Sequence, residues 1–154
     1  MDINNLINAL DNNNNETLLQ LTSQKILQMN FDILSELNLD DVTLRNYLSK
    51  LKNYRYIDEL TDLKYGSFIK WIPIIDPNYL PLHYSGIICD IKITDNGVII
   101  TCKNFMHRHY TFKMDETLIF QKLTSQEQLI VKALDYLDKN SESDETEGED
   151  EDCR

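Results

Sequence analysis

A chain of 154 residues with 42% apolar and 27% charged side chains has the make-up of one globular domain, or of one small domain with an appendage. It holds no run of the roughly 18 apolar residues that a membrane span needs. Its formal charge of −11 argues against indiscriminate binding to nucleic acid or anionic membrane by the protein as a whole.

The charge is unevenly spread. Residues 1–63 carry −5, residues 64–123 carry +2 and residues 124–154 carry −8, so the central segment alone is not acidic. The opening Met1-Asp2-Ile3-Asn4-Asn5 lacks the basic and apolar regions of a signal peptide, and an intracellular protein is expected. Cys89, Cys102 and Cys153 are odd in number and form no C-x-x-C pair, which argues against a disulfide framework and against a zinc site.

In chain order, residues 1–15 end in the run Asn12-Asn13-Asn14-Asn15, a low-complexity segment expected to be flexible. Residues 16–63 read as a helical region. A loose helix from Glu16 to about Asn30 is followed by a short helix or turn over 31–39. A clearer helix runs from about Asp41 to Asn53, capped by Asp40 or Asp41, with the stripe Leu44, Tyr47, Leu48, Leu51. These short helices also fit a winged-helix fragment, with Arg45, Lys50 and Lys52 on the reading helix.

Residues 64–123 read as a small β-barrel. Tyr54–Asp58 alternates and is a strand or an extended connection; Ser67–Ile72 is a strand, and Pro73, Pro77 and Pro81 mark a loop to about Ser85. Residues 86–94 and 98–103 flank Asn96-Gly97, the dipeptide of a two-residue type I′ hairpin. That register pairs Asp95 with Val98, Ile93 with Ile100 and Ile91 with Cys102. It puts Ile87, Cys89, Ile91, Ile93, Val98, Ile100 and Cys102 on one buried face, so both central cysteines act as small hydrophobes. A further pair spans 107–113 and 117–122. Five short strands in about sixty residues cannot hide both faces of a flat sheet, so barrel-like closure is expected.

Thr124-Ser125-Gln126-Glu127 is a capping box that opens a C-terminal helix over 124–139, with Leu129, Ile130, Ala133, Leu134 and Leu137 on one stripe. From residue 140 the chain holds 8 carboxylates and no apolar run, and a disordered acidic tail is expected over 140–154. The fold class is therefore α+β: short N-terminal helices, a small antiparallel β-barrel, a C-terminal helix and the tail.

The stretch Tyr56-Ile-Asp-Glu-Leu-Thr-Asp-Leu-Lys-Tyr-Gly-Ser-Phe-Ile-Lys-Trp-Ile72, the hairpin, and Leu118-Ile-Phe-Gln-Lys-Leu123 resemble small proteins of nucleocytoplasmic large DNA viruses, mimivirus-like ones especially. The resemblance covers about residues 54–137. It implies a viral setting in the host cytoplasm, with the replication compartment included, and transfers no site residues. The barrel pattern is also similar to SH3-like and Tudor-like domains.

No phosphate loop, dinucleotide fingerprint, nucleophile elbow or metalloprotease motif occurs, so no catalytic, cofactor-binding or metal residues are assigned and a non-catalytic protein is expected. His107 and His109 share a strand face only as a pair, short of a metal site. Lys103–Lys113 mixes aromatics with cations, and Lys103, Arg108, Tyr110 and Lys113 are a candidate nucleic-acid contact. Tyr65, Trp71, Tyr79 and Tyr84 are a candidate peptide groove, with Trp71 weighed against a core role. Ser141 and Thr146 stand three residues before carboxylates, as acidophilic kinases require. The leading expectation is a protein-binding scaffold or adaptor whose tail engages basic partners. The second is a nucleic-acid-binding barrel gated by its acidic tail.

Overall fold

The structure is a computed structural model that describes residues 3–12 and 21–152, without the side chains of residues 84–85 and 141–152. It divides into two compact units: residues 27–123, and the described parts of 1–26 and 124–154. No described helix is long and apolar enough to cross a membrane.

Helix α1 spans Ile3–Asp11, α2 Ser23–Ser35 and α3 Asp41–Lys50. Strands follow at Tyr54–Ile57 (β1), Phe68–Pro73 (β2), His83–Thr94 (β3), Gly97–Lys103 (β4), His109–Lys113 (β5) and Thr117–Lys122 (β6), and α4 runs Ser125–Asp152. The class is α+β, as expected. Residues 3–11, read as flexible from their asparagines, are instead helical, with Ala9 buried. The expectations for Asn13, Asn14 and Asn15 and for Ser141 and Thr146 of the acidic tail lie outside the described residues or side chains.

All six strands form one antiparallel sheet in the order β1-β6-β2-β3-β4-β5. Tyr54–Ile57 is thus a full strand, making six where five were expected within the barrel. The sheet coils until Ile57, Ile69 and Ile119 at one end of the order share a core with Ile88, Ile100 and Cys102 from the other. The expected closure does not follow: β1 and β5 stay unpaired edges, so the sheet is a coiled, open one.

Two irregularities bend it. The β2–β3 register shifts between Ile69 and Trp71, and the β3–β4 register shifts between Ile88 and Asp90. An extra residue on one strand bends that strand and raises its local twist. The second shift also inverts the side-chain phase. Ile88 turns inward opposite Cys102, and Cys89 turns out to solvent, its thiol against the Thr101 carbonyl at 3.4 Å. The expected burial of Cys89 is therefore wrong, while Cys102 is fully buried.

The hairpin register also differs from expectation. Observed pairs are Thr94 with Gly97, Ile93 with Val98 and Ile91 with Ile100. The loop is Asp95-Asn96, and Gly97 follows it at φ +117°. Glycine supplies the positive φ one place later than a type I′ turn would need it. The Thr94 hydroxyl donates to the Gly97 carbonyl at 2.7 Å and closes the turn.

The outer face of β1, β6 and β2 is covered by helices. Leu34 and Leu51 pack with Ile72, Leu118 and Phe120, and the Leu44, Tyr47, Leu48 stripe of α3 lies against this cluster. Asp40 caps α3, accepting from the Thr43 amide at 3.4 Å. Buried Asn30 ties α2 to β1: its Nδ2 donates to the Tyr54 carbonyl and its Oδ1 accepts from the Tyr56 amide, each at 3.0 Å. Buried Gln121 pins the segment after β1, donating to the Asp62 carbonyl and accepting from the Lys64 amide, each at 2.9 Å. The helical region and the sheet are thus one unit rather than two neighbours.

In the other unit, the expected capping box forms. The Glu127 amide donates to Thr124 Oγ1 at 3.1 Å, and the Thr124 amide donates to Glu127 Oε1 at 2.9 Å. Asn12 Nδ2 donates to Gln126 Oε1 at 2.9 Å, and Ser23 Oγ donates to Asp135 at 2.6 Å.

Gly86 lies beneath Trp71. A Cβ there would stand 2.6 Å from Trp71 Cζ3 and 3.0 Å from Cys102 Sγ, both immobile core atoms. Gly86→Ala is expected to lower stability by about 1–3 kcal/mol, read from urea unfolding. Burial pushes the Cys102 thiol up to about 11, with the nearby Cys89 adding a smaller push. In a Cys153→Ser background, a thiol reagent should modify Cys89 in the folded protein. Cys102 should react about a thousandfold more slowly or less, through unfolding alone.

Candidate functional site

Directly opposed residues of an antiparallel sheet share a face. One such row crosses the whole outer face at a single level. Tyr54 opposes Lys122, Phe68 opposes Ile87, Ile87 opposes Lys103, and Lys103 opposes His109. Ile69 opposes Gln121, so the preceding Phe68 falls beside Lys122 and joins the two halves of the row. The Lys122 ammonium lies 5.5 Å from the centre of the Phe68 ring. Two residues along β2, Lys70 lies 4.6 Å over the Tyr54 ring and donates to the Lys50 carbonyl at the end of α3.

The loop after β4 extends this surface. Asn104 Oδ1 accepts from the amides of Met106 at 2.9 Å and Arg108 at 3.0 Å, and the Asn104 amide donates to the Arg108 carbonyl at 3.0 Å. His107 takes a left-handed φ of +61° within it. Asparagine side chains stabilise such turns by replacing a backbone partner. The result is a small fixed loop whose Phe105 is 73% exposed and packs on Phe68 at 6.3 Å between ring centres.

Electrostatically the row is uncompensated. Among the described residues, Lys50, Lys70, Lys103 and Lys122 make no ion pair. Lys70 is held below the ordinary lysine pKa of 10.5, first by its partial burial and then by repulsion from Lys50 and Lys122. Cations and exposed rings interleaved on one face can hold a polyanion and stack planar groups against it.

The residues singled out from sequence are only partly brought together. Lys103 lies in the row, and Arg108 stands at the foot of the Asn104 loop. Tyr110 points to the opposite face, 5.8 Å from Trp71, and Lys113 lies at the far end of β5 opposite Ile99. The four-residue contact patch is therefore split, because successive residues of β5 face opposite sides of the sheet.

The peptide groove does not assemble either. Trp71 is only 5% exposed, stacked with His83 and with Phe112 at 5.4 Å from each, so its core role prevails. Tyr65 is exposed and donates to the Ile91 carbonyl at 3.4 Å. Tyr79 lines a cleft of about 570 Å³ with Tyr47, Leu39, Pro77 and Pro81. The Tyr84 side chain lies outside the described ones. No three His, Cys, Asp or Glu side chains gather as metal ligands among the described residues.

Sequence reasoning missed Lys70, Lys122 and Phe68, and placed Lys50 only on a duplex-reading helix; Lys50 and Lys122 stand 72 residues apart and are brought to one surface only by the tertiary fold. Phe105 lies inside the aromatic and basic segment already noted, and its position between Asn104 and the turn was the signal available. Comparison with protein-family models, curated proteins and solved structures finds no match to this chain.

A lysine whose folded pKa is lowered costs stability while charged. The cost is full below the lowered value and gone above the ordinary one. Lys70→Met keeps the stem on Tyr54 and removes the charge. It is expected to raise the urea midpoint at pH 7, with the gain fading as the pH rises from the lowered value towards 10.5 and gone above it. A lower midpoint at pH 7 would show that Lys70 is structural.

Proposed function

We propose that this protein is a non-catalytic binding module that holds single-stranded nucleic acid on the outer row of its coiled sheet. The observation that supports this reading is the unpaired lysine set Lys50, Lys70, Lys103 and Lys122, interleaved with Phe68, Phe105 and Tyr54. Lysines meet phosphates through charge, and exposed rings accept bases only when these are unstacked, which favours single strands over duplex. The coiled sheet is, on this reading, an open variant of an SH3-like small barrel, and the viral setting implied by the sequence resemblance suits such a module.

Residues 27–123 carry 11 basic and 12 acidic side chains, a net −1, so −10 of the chain's −11 lies elsewhere. This repulsion limits affinity, and removing the eight carboxylates after Asn140 is expected to tighten binding at low salt.

The test is fluorescence anisotropy with oligo(dT) and oligo(rU) over a salt series. Four phosphate contacts give a log–log slope of about −3, and each of Lys103→Gln and Lys122→Gln should reduce its magnitude by about 0.7. Phe105→Ala should weaken binding by about five- to a hundredfold and leave the slope unchanged, since stacking contributes about 1–3 kcal/mol per base. Binding that is absent, or indifferent to these substitutions, sinks the proposal.

A second reading is a protein-binding adaptor. It is favoured by the proline- and tyrosine-lined cleft at Tyr79, whose composition suits an extended peptide.

A further inference from the structure

The open sheet has two free edges, β1 and β5, and the protein treats them differently. A bare edge presents backbone N–H and C=O groups that another strand can bind. On β1 those groups are already taken. Buried Asn30 donates to the Tyr54 carbonyl and accepts from the Tyr56 amide, each at 3.0 Å, and so stands in for the next strand.

On β5 the outward groups follow from the ladder. The Asn104 amide donates to the Arg108 carbonyl at 3.0 Å, and the register runs on from that pair through Cys102 with Tyr110 and Ile100 with Phe112. Bonded and non-bonded pairs alternate in an antiparallel ladder, so Tyr110 and Phe112 bond to β4. The amides and carbonyls of His109 and Thr111 point away from β4, and no described residue takes them up. His109, Tyr110 and Thr111 are all exposed.

The strand has no proline and no register shift to blunt this edge, and it holds no carboxylate. Its charge is positive: among the described residues neither Lys113 nor Arg108, just before the strand, makes an ion pair. Cations on an edge strand deter a basic neighbour and favour an acidic one.

We propose that the free edge of β5 takes up an extended segment of a partner protein as an added antiparallel strand, and that this segment alternates acidic with apolar residues. Its acidic residues lie opposite His109, Thr111 and Lys113 on the outer face. Its apolar residues lie on the inner face beside Tyr110, whose side chain is 40% exposed against Trp71. Main-chain hydrogen bonds hold the segment, and the two faces select its side chains. A second copy of this chain fits poorly. Pairing β5 with itself about Thr111 sets Lys113 against the other copy's His109 and joins two chains of charge −11. The edge needs none of Lys50, Lys70, Lys103 and Lys122, and the proposal stands whether or not nucleic acid binds there.

The probe is the capped heptapeptide Glu-Val-Glu-Val-Glu-Val-Glu, titrated into the full chain. At saturation it is expected to slow hydrogen exchange at the His109 and Thr111 amides by about tenfold or more. N-methylation of its two inner glutamates removes donors that face β5 and should weaken binding by about tenfold or more. N-methylation of two valines, whose amides face away, should change it by less than about twofold. Both methylated peptides keep the charge, so their difference cannot arise at the lysine row. Lys113→Gln should weaken the parent peptide by about two- to fivefold, the scale of one cross-strand charge pair. Lys52→Gln, an equal change of net charge at an exposed site outside the sheet, should leave it unchanged. Equal binding of the two methylated peptides overturns the proposal on the unmodified protein, whatever the variants do. Equal losses for Lys113→Gln and Lys52→Gln overturn it by reducing the effect to net charge. A dimer of the free chain that protects the same two amides overturns it by giving the edge to a second copy.

Discussion

The structure depends on one short connection. Strand β5 is the outer edge of the sheet, and β6 stands four places away in the strand order. A three-residue 3-10 turn, Met114–Glu116, joins them. In a flat sheet four strand spacings amount to about 19 Å, whereas the four backbone steps from Lys113 to Thr117 reach at most about 14 Å. The sheet has to coil until β5 returns towards the start of β6. The bulges in β2–β3 and β3–β4 supply the bend, and Gly86 supplies the space, since any side chain there would meet Trp71.

Coiling assigns the two faces different work. The inner face closes on itself and fills with Ile57, Ile69, Trp71, Ile88, Ile100 and Ile119. Half of the outer face is covered by α2 and α3 through Ile72, Leu118 and Phe120. What remains outside is the level of Tyr54, Lys122, Phe68, Lys103 and His109. Here the fold keeps several lysines close together without a carboxylate to offset them. Natural surfaces tend to disperse like charges, and a site that keeps them together at the expense of stability is commonly one that meets an anion.

The aromatic residues divide in the same way. Trp71 and Phe112 stack on the inner side, with Tyr110 tilted against Trp71 at its exposed margin. Phe68 and Phe105 pack on each other outside, beside Lys122. Composition treats these two sets alike. Only the strand phase, changed by one residue at each bulge, tells which rings are core and which are surface.

Much of the fold was legible in the residues themselves. Local rules hold where a single segment decides the outcome. Asp40 caps α3, the Thr124 and Glu127 box opens α4, and β2 and β6 fall within a residue or so of where alternation places them. The turn dipeptide located the hairpin, but the positive φ at Gly97 moved the register, and an unforeseen bulge turned Cys89 outward. For the candidate site, Lys103 and the Phe105 segment were visible as a local mixture of charge and ring. Lys50, Lys70 and Lys122 come from three separate elements and carry no shared local pattern. Sequence alone determined the elements and their caps, because those follow from hydrogen bonds and side-chain periodicity within a few residues. The open coil, the choice of inward ring and the meeting of the lysines were decided by tertiary structure, because each depends on register between strands far apart in the chain.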